Sequence, residues 1–316
     1  MTMLRHALLI SNFRLADGIY DMELVEPALA ASAVPGQFVM VAINESIEPF
    51  LRRPFSIAGI DRDQGIIRLI YQTVGKGTAQ MAGWEPGRKV DLLGPLGNGF
   101  SWEEGLIGAI LVGGGIGIAP LLPLANELRA SGKDALVFIG AASASRIIGA
   151  DLFDSYGCRV WLATEDGSAG IKGFVTLPLE EHLQQQFQSS KQQYQSPGQP
   201  LQPPANTALL PLGQSLQPSA DAALQPLGQP LPPSADATLP PWQLFACGPA
   251  LFLKTVAALC SRYTLCAQLS MEEKMGCGIG ACMGCSIPVK SSAGEVRQKR
   301  VCYDGPVFDA REVYYG

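Results

Sequence analysis

The stretch "GAILVGGGIGIAPLLPLANELRASG", residues 108–132, contains the signals of a strand, a glycine loop and a helix in succession. Its first residues form a short continuous apolar run, which is typical of a strand buried on both faces. The helix that follows ends at Gly132, a common stop signal. Alternation of buried strands and helices is the pattern of α/β domains, so this stretch predicts a parallel sheet.

Segments on both sides extend this prediction. Downstream, "DALVFIGA" (134–141) and "CRVWLATED" (158–166) predict further buried strands, and "WQLFACGPALFLKTVAALCSRY" (242–263) predicts another strand, turn and helix. Upstream, residues 1–100 contain short apolar runs separated by turn residues, which predict an antiparallel β-barrel. We therefore predict an α+β multidomain protein with a barrel at 1–102, an α/β domain at 103–262 and a small C-terminal domain at 263–316.

The predicted α/β domain is interrupted by a low-complexity insertion at about 183–242. It is rich in Gln, Pro, Ser and Ala, and Gly198, Gly213 and Gly228 mark a repeat with equal intervals. Proline at this density cannot build a core, so we expect a tolerated surface insertion in preference to a docking segment. His182, at its edge, is expected at the protein surface.

Three loops of the predicted α/β domain have the composition of nucleotide-binding segments. Gly115-x-Gly117-x-x-Pro120 joins a strand to a helix and suits a pyrophosphate or a nicotinamide edge. "ATEDGSAGIKG" follows a strand end, where Glu165 or Asp166 could accept a hydrogen bond from a ribose hydroxyl; an ordinary charged turn is equally compatible. "ACGP", with Cys247, also follows a strand.

The barrel region carries two weaker signals of the same kind. In "LRRPFSIAG", the Arg53 guanidinium suits a flavin pyrophosphate, and the Ser56 hydroxyl could reach the nitrogens of the flavin ring. In "VGKGTAQM", Gly77 and Thr78 precede a possible helix whose first amides could bind phosphate. An exposed strand edge and a simple glycine turn are the alternatives.

Four of the eight cysteines lie close to the C-terminus as Cys277-x4-Cys282-x2-Cys285-x16-Cys302. This is the plant-type spacing of [2Fe–2S] ligands. Glycines between the cysteines allow the backbone to wrap around an inorganic core and direct N–H groups at the sulfurs. Structural zinc sites usually contain two C-x2–4-C pairs, and only one such pair is present here, so the spacing favours the cluster.

Composition narrows the remaining classes of function. A net charge of −5 gives no electrostatic reason to expect nucleic acid or an anionic membrane as a partner. The sequence has no apolar run long enough to cross a bilayer as a helix, so no membrane span is predicted. The lack of a recognisable signal peptide predicts a cytoplasmic protein, in which the eight cysteines are not expected to form a disulfide framework.

The ordered set "RPFS", "GKGT", "GGGIGIAPL", "TEDGS" and "ACGP" resembles the ferredoxin–NADP reductase superfamily. With the loop "EEKMGCGIGACMGC", it is similar to one branch, the electron-transfer subunits of class 1B dihydroorotate dehydrogenases. The resemblance covers nearly the whole chain except the repeat insertion.

The resemblance implies FAD, a [2Fe–2S] cluster and NAD as cofactors or co-substrate. FAD-binding segments would comprise Arg53, Pro54, Phe55, Ser56, Ile70, Tyr71, Gln72, Gly77 and Thr78. NAD would bind near Gly115, Gly117 and Pro120, with Cys247 close to the nicotinamide. Cys277, Cys282, Cys285 and Cys302 would hold the cluster, and no acid–base catalytic residue is implied.

The same resemblance implies a partner, an FMN-containing subunit that oxidises dihydroorotate in pyrimidine biosynthesis, in a heterotetramer of two plus two. Electrons would pass from FMN through the cluster and FAD to NAD. One alternative is the flavin subunit of a sulfide dehydrogenase or NADH-dependent ferredoxin–NADP oxidoreductase, in which an aspartate replaces one cluster cysteine. Another is a non-enzymatic metal-binding module.

Overall fold

The structure is a computed structural model that describes residues 4–43, 50–194, 242–291 and 293–315. Most of the predicted insertion, residues 195–241, lies outside the described residues. No helix in the described ranges is long and apolar enough to cross a membrane.

The N-terminal part is a closed antiparallel barrel with the strand order β1-β2-β5-β4-β3-β6. Its strands are β1 (Leu4–Ala16), β2 (Ile19–Val25), β3 (Phe38–Val41), β4 (Arg53–Asp61), β5 (Ile66–Gln72) and β6 (Lys89–Leu96), with short helices α1 (Pro27–Ser32) and α2 (Lys76–Ala82) between them. Alternate residues point inward, as Ala7 and Leu9 do on β1, and the interior is filled with fully buried aliphatic side chains. The predicted barrel is confirmed.

The second part is a seven-stranded sheet with the order β10-β9-β8-β7-β11-β12-β15, in which the last strand, β15 (Val307–Asp309), belongs to the C-terminal part and is antiparallel to β12. Its elements are β7 (Gly108–Gly114), α3 (Leu121–Ala130), β8 (Asp134–Ala141), α4 (Ala150–Ser155), β9 (Arg159–Thr164), β10 (Ile171–Lys172), α5 (Thr176–Tyr194), β11 (Trp242–Cys247), α6 (Ala250–Arg262) and β12 (Ala267–Ser270). These strands are parallel, which confirms the predicted sheet.

Both faces of the sheet are buried, as the continuous apolar run of β7 predicts. Ala109 and Leu111 belong to the core beneath α3 and α4, whereas Ile110 and Val112 belong to the core beneath α5 and α6. Strand order reverses at β7, since β8 lies on one side and β11 on the other. Such a switch point opens a crevice at the carboxyl ends of the strands.

Helix α5 begins before the predicted insertion and continues through its first residues to Tyr194. Leu179 and Leu183 are buried against the sheet and anchor the first half of the helix. His182 is only 2 % exposed, so the expectation of a surface histidine is wrong. Its ring packs against Phe138 and Trp161, with centroids 5.7 and 5.8 Å away.

The C-terminal part contains β13 (Ser286–Lys290), β14 (Val296–Arg300), α7 (Val301–Asp304) and β15 (Val307–Asp309). The first two strands form a separate antiparallel hairpin, whereas β15 pairs antiparallel with β12 at the edge of the large sheet. The predicted cluster region therefore contributes two strands, β12 and β15, to the sheet of the α/β part. The domain boundaries themselves stay a prediction.

Candidate functional site

A cavity of about 420 Å³ lies between the barrel and the carboxyl edge of the sheet. It brings together six residues predicted from the sequence: Pro54, Phe55, Ser56, Ile70, Tyr71 and Gln72. These residues are neighbours because β4 and β5 pair in the barrel. The opposite wall consists of Ser270, Met271, Glu272, Glu273 and Met275, which follow or end strand β12. A groove of this composition, aromatic on one side and polar on the other, can hold a planar ring.

Tyr71 lines this cavity, but its side chain is fully buried in the barrel core. The hydroxyl donates to Asn12 Oδ1 at 3.0 Å, and burial raises its pKa. Its ring stacks on Tyr20 and meets the edge of Phe55. In contrast, the Ser56 side chain is only partly buried and can reach a bound group.

Arg53 and the start of helix α2 lie together beside the cavity. A Cβ atom at Gly77 would lie 3.4 Å from Arg53 Nε, so the backbone and the guanidinium are close neighbours. Thr78 Oγ1 accepts hydrogen bonds from the backbone N–H groups of Val74 (2.9 Å) and Gly75 (3.3 Å) and thereby shapes the loop. Arg53, Gly77 and Thr78 do not line the cavity itself, but Val74 connects them to it.

A second crevice, of about 680 Å³, opens at the carboxyl ends of β7, β8, β9 and β11. Gly115 and Gly117 line it, and Gly115 adopts a φ of +58°, which favours glycine. A side chain at Gly117 would collide with the carbonyl group of Cys247. Pro120 does not line the crevice; it is buried and precedes the first residue of α3.

Glu165 also lines this crevice, whereas Asp166 does not. The Asp166 carboxylate accepts hydrogen bonds from the Ser168 hydroxyl at 2.6 Å and from its N–H at 2.9 Å, which lower its pKa. Asp166 therefore belongs to the turn and Glu165 to the crevice. The residues that line the crevice within the described ranges include no Lys, Arg or His.

Cys247 lies behind the wall that the two cavities share. Its side chain is fully buried, and its thiol donates to Glu272 Oε1 at 3.8 Å. Burial and the negative charge of Glu272 raise the pKa of Cys247 well above its ordinary value. Glu272, Gln72 and Ile116 line both cavities, so they form the shared wall.

The sequence prediction assigned no role to Glu272. Glu272 is an exposed residue, but the protein atoms around its carboxylate desolvate it and raise its pKa. The sequence feature that could have indicated Glu272 is its position directly after a buried parallel strand, at the sheet edge where ligands bind. Another cavity, of about 690 Å³, opens at the opposite edge, where β7 and β11 begin, and contains none of the predicted site residues.

The four C-terminal cysteines come together as two pairs. The N–H of Cys282 donates to Cys277 Sγ at 3.4 Å, and the N–H of Cys302 donates to Cys285 Sγ at 3.4 Å. Within the described ranges, no three potential ligands surround a single metal ion. Two thiol pairs instead suit a centre with two iron atoms, each held by two cysteines.

Hydrogen bonds within this loop favour the thiolate of Cys277. Burial opposes ionisation of Cys277, but the N–H groups of Ile279, Cys282 and Ala281, together with the Cys282 side chain, outweigh it and lower the pKa of Cys277 to about 6. The N–H of Gly280 donates to Cys302 Sγ at 3.1 Å, although burial raises the pKa of that thiol in the protein without metal. Metal binding requires thiolate, so this donor set fits an iron–sulfur cluster.

The thiol loop and the cavity beside the barrel are adjacent. Met275, which lines that cavity, lies just before Cys277 in the chain. A Cβ atom at Gly278 would touch Met40 and Leu96 of the barrel, so the loop packs directly on the barrel wall. The structure thus places two cavities and a thiol site around the segment that follows β12.

Comparison with known proteins agrees with this arrangement. Residues 272–314 match the family model described as the iron–sulfur cluster binding domain of dihydroorotate dehydrogenase B. A Geobacillus thermodenitrificans (strain NG80-2) protein named "Dihydroorotate dehydrogenase B (NAD(+)), electron transfer subunit" is 35% identical over 307 residues, 96% of each chain. A Desulforamulus reducens protein of the same name is 30% identical over 309 residues, 98% of this chain and 97% of the relative.

Solved structures share the fold. An NADH-dependent reduced ferredoxin–NADP oxidoreductase structure superposes with a TM-score of 0.68 at 24% identity and covers 98% of this chain and 90% of the other. Phthalate dioxygenase reductase superposes with a TM-score of 0.53 at 16% identity and covers 95% of this chain and 77% of the other. At these identities the likeness shows the fold alone.

Proposed function

The chain belongs to the family of electron transfer subunits of NAD(+)-dependent dihydroorotate dehydrogenase B, and we propose that it carries electrons from a dihydroorotate-oxidising partner to NAD. It does so with an iron–sulfur cluster and FAD, in an oxidoreductase complex of pyrimidine biosynthesis. The observation that carries the proposal is the segment after β12. Its residues line both cavities and then continue directly into the cysteine loop.

In this proposal each site holds one group. FAD lies in the cavity between the barrel and the sheet, with Arg53 and the loop at Gly77 and Thr78 facing its phosphates. NAD enters the crevice at the carboxyl ends of the strands, with its phosphates near the backbone of Gly115 and Gly117. Cys277, Cys282, Cys285 and Cys302 hold a [2Fe–2S] cluster, as their pairing allows.

FAD, when bound, supplies the exchange between single electrons at a cluster and a hydride at a nicotinamide. The chain's own residues provide position and environment. Phe55 lines the cavity beside the ring, the backbone of Gly115 and Gly117 faces the phosphates of NAD, and Glu272 lies in the wall between the sites with Cys247 buried behind it. Hydride transfer needs this orientation more than it needs a side-chain proton donor.

The partner in this proposal is an FMN-containing subunit, and the assembly is a heterotetramer of two plus two. The eight free thiols suit a reducing compartment, so cytoplasmic location is part of the proposal. Four cysteine ligands, together with the full-length similarity to curated electron transfer subunits, favour this function over a ferredoxin–NADP oxidoreductase role.

Reconstitution tests the proposal. Protein purified without oxygen should contain FAD, about two irons and about two labile sulfides per chain, and should reduce dyes with NADH. Alone it should not oxidise dihydroorotate; co-expressed with the FMN subunit encoded in the same genome, it should couple dihydroorotate to NAD. Stoichiometric zinc without iron, or full dihydroorotate activity of the isolated chain, would contradict it.

A further inference from the structure

Arg300, at the end of β14, connects the cysteine loop to helix α7. Its Nη1 donates to the carbonyl oxygen of Gly280 at 2.9 Å, and its Nε donates to Asp304 Oδ2 at 3.0 Å. The guanidinium carbon lies 4.6 Å from the centre of the Tyr303 ring. The side chain is 28% exposed, so these contacts are partly shielded from water.

Arg300 is connected to Cys302 through the backbone of Gly280. Its N–H donates to Cys302 Sγ at 3.1 Å, and its φ is +81°. A Cβ atom there would lie 2.9 Å from Tyr303 Cβ, so the backbone is packed against that residue. The N–H of Gly280 thus contacts the Cys302 sulfur, while the carbonyl of Gly280 accepts a hydrogen bond from the Arg300 guanidinium.

Asp304 holds the guanidinium in place. Its Oδ2 accepts from both the backbone N–H of Arg300, at 2.8 Å, and the side-chain Nε. The arginine therefore cannot rotate away from Gly280 without breaking several hydrogen bonds. A planar fork can make these contacts at once, whereas a single ammonium cannot.

We propose that Arg300 is a positioning residue for the iron–sulfur cluster, which fixes the Gly280 N–H on the Cys302 sulfur and keeps one positive charge beside that ligand. The inference rests on the proposed function, because it requires that the cluster is bound. A hydrogen bond and a positive charge near a ligand sulfur both stabilise the reduced cluster and raise its reduction potential. Arg300 thus retains the cluster and also sets its potential.

A neighbouring arginine offers a matched control. Arg297 lies on the same strand, but its side chain is 70% exposed and pairs with Glu295. Arg297→Gln removes the same charge as Arg300→Gln without touching the cysteine loop. Arg300→Lys keeps the positive charge but replaces the planar guanidinium with a single ammonium group.

The experiment uses the full chain with its cofactors. Iron release to a chelator, the electron paramagnetic resonance spectrum of the reduced cluster and its midpoint potential are measured for the three variants and the wild type. For Arg300→Gln we expect iron release about tenfold faster or more, a changed spectrum and a more negative potential. For Arg300→Lys we expect fast release but a potential closer to wild type, and for Arg297→Gln no change in any of the three.

Two results would overturn the inference. One is an Arg300→Gln variant with wild-type iron release, spectrum and potential; the other is an Arg297→Gln variant with the same changes as Arg300→Gln. If Arg300→Gln loses its cluster during purification while Arg297→Gln retains it, that loss supports the inference. The midpoint potential is then measured on Arg300→Lys instead. Wild-type protein that contains FAD but no iron would overturn the proposed function, and this inference with it.

Discussion

At the scale of single residues, the candidate site combines local motifs with side chains that are held by contacts between distant parts of the chain. The cysteine spacing, the glycines at 115 and 117 and the "RPFS" segment are recognisable in the sequence because each is determined by local chemistry. The roles of Glu272 and Arg300 could not be predicted, since both depend on contacts between distant parts of the chain. Glu165 and Asp166 were indistinguishable in sequence, and only the hydrogen bonds of Ser168 to Asp166 separate them.

Glu165→Gln should weaken the preference for NADH over NADPH. A carboxylate at the crevice, with no cation among the described residues that line it, would repel a 2′-phosphate and accept hydrogen bonds from a free ribose diol. Loss of a charged acceptor corresponds to about 1.5–3 kcal/mol, or roughly tenfold or more in kcat/KM for NADH. The rates of dye reduction with NADH and with NADPH measure this preference.

Asp166→Asn is the control for this prediction and should leave the ratio between the two nucleotides unchanged. If Asp166→Asn shifts the ratio and Glu165→Gln does not, the assignment of Glu165 is wrong. The proposed function would survive that result, because NADH would still reduce the flavin.

Arg53→Ala should weaken FAD binding. It removes a guanidinium beside the loop at Gly77, a charge-assisted contact worth about 1.5–3 kcal/mol, or roughly tenfold to more than a hundredfold in Kd. Flavin retained after serial dilution measures this. The control is Arg52→Ala, because Arg52 pairs with Asp91 at 2.7 Å and should leave FAD in place. Equal retention in both variants would argue against Arg53 as a phosphate ligand.

At the scale of elements, periodicity and turn signals predicted both the barrel and the parallel sheet. The extent of α5 could not be predicted, because its glutamine-rich sequence resembles the repeats that follow it. Tertiary burial of Leu179 and Leu183 anchors its first half, and a local pattern does not reveal this contact. The same burial places His182 in the core, where neither ring nitrogen has a hydrogen-bond partner among the described residues.

His182 should make folding stability depend on pH. Burial, assisted by the charge of Arg159, lowers its pKa from 6.5 to about 4. The unfolded chain therefore binds a proton in this range that the native chain does not, and stability falls as pH decreases from 6.5 towards 4. The slope is about 1.4 kcal/mol per pH unit for one proton. Urea midpoints at pH 7.5 and pH 5 measure this loss.

His182→Phe should lose less stability between these two pH values than the wild type. His6→Gln should behave as the wild type, because His6 is exposed on strand β1. An identical acid dependence in His182→Phe and wild type would show that other groups cause it.

At the scale of the whole molecule, the arrangement separates two electron exchanges. In the proposed arrangement NADH would approach the cavity between barrel and sheet from the crevice, across the wall that contains Glu272, whereas the cysteine loop lies on the side of Met275. The order of motifs in the sequence predicted the barrel, the α/β domain and the C-terminal cysteine loop. It could not predict that one short segment would serve both cavities, since this follows from the packing of the barrel on the sheet edge.

Cys285→Ser should separate the two exchanges. Dihydroorotate-to-NAD transfer in the reconstituted complex should be lost, because the cluster bridges the partner and the flavin. NADH-dependent dye reduction should fall much less, because it needs only FAD and the crevice. Both assays are made on one preparation with measured FAD content. An equal fall in both activities, with FAD still bound, would contradict the order of cluster, FAD and NAD.

The pairing of β12 with β15 has a consequence for biogenesis. Ser270 is the direct partner of Val307, so the chain leaves the sheet and returns to it at adjacent positions. All four proposed cysteine ligands lie on this excursion, residues 271–306. None of them takes part in the pairing of β12 with β15. We therefore expect iron delivery to be a late and local step of maturation, in which a carrier reaches the thiols on an already assembled scaffold.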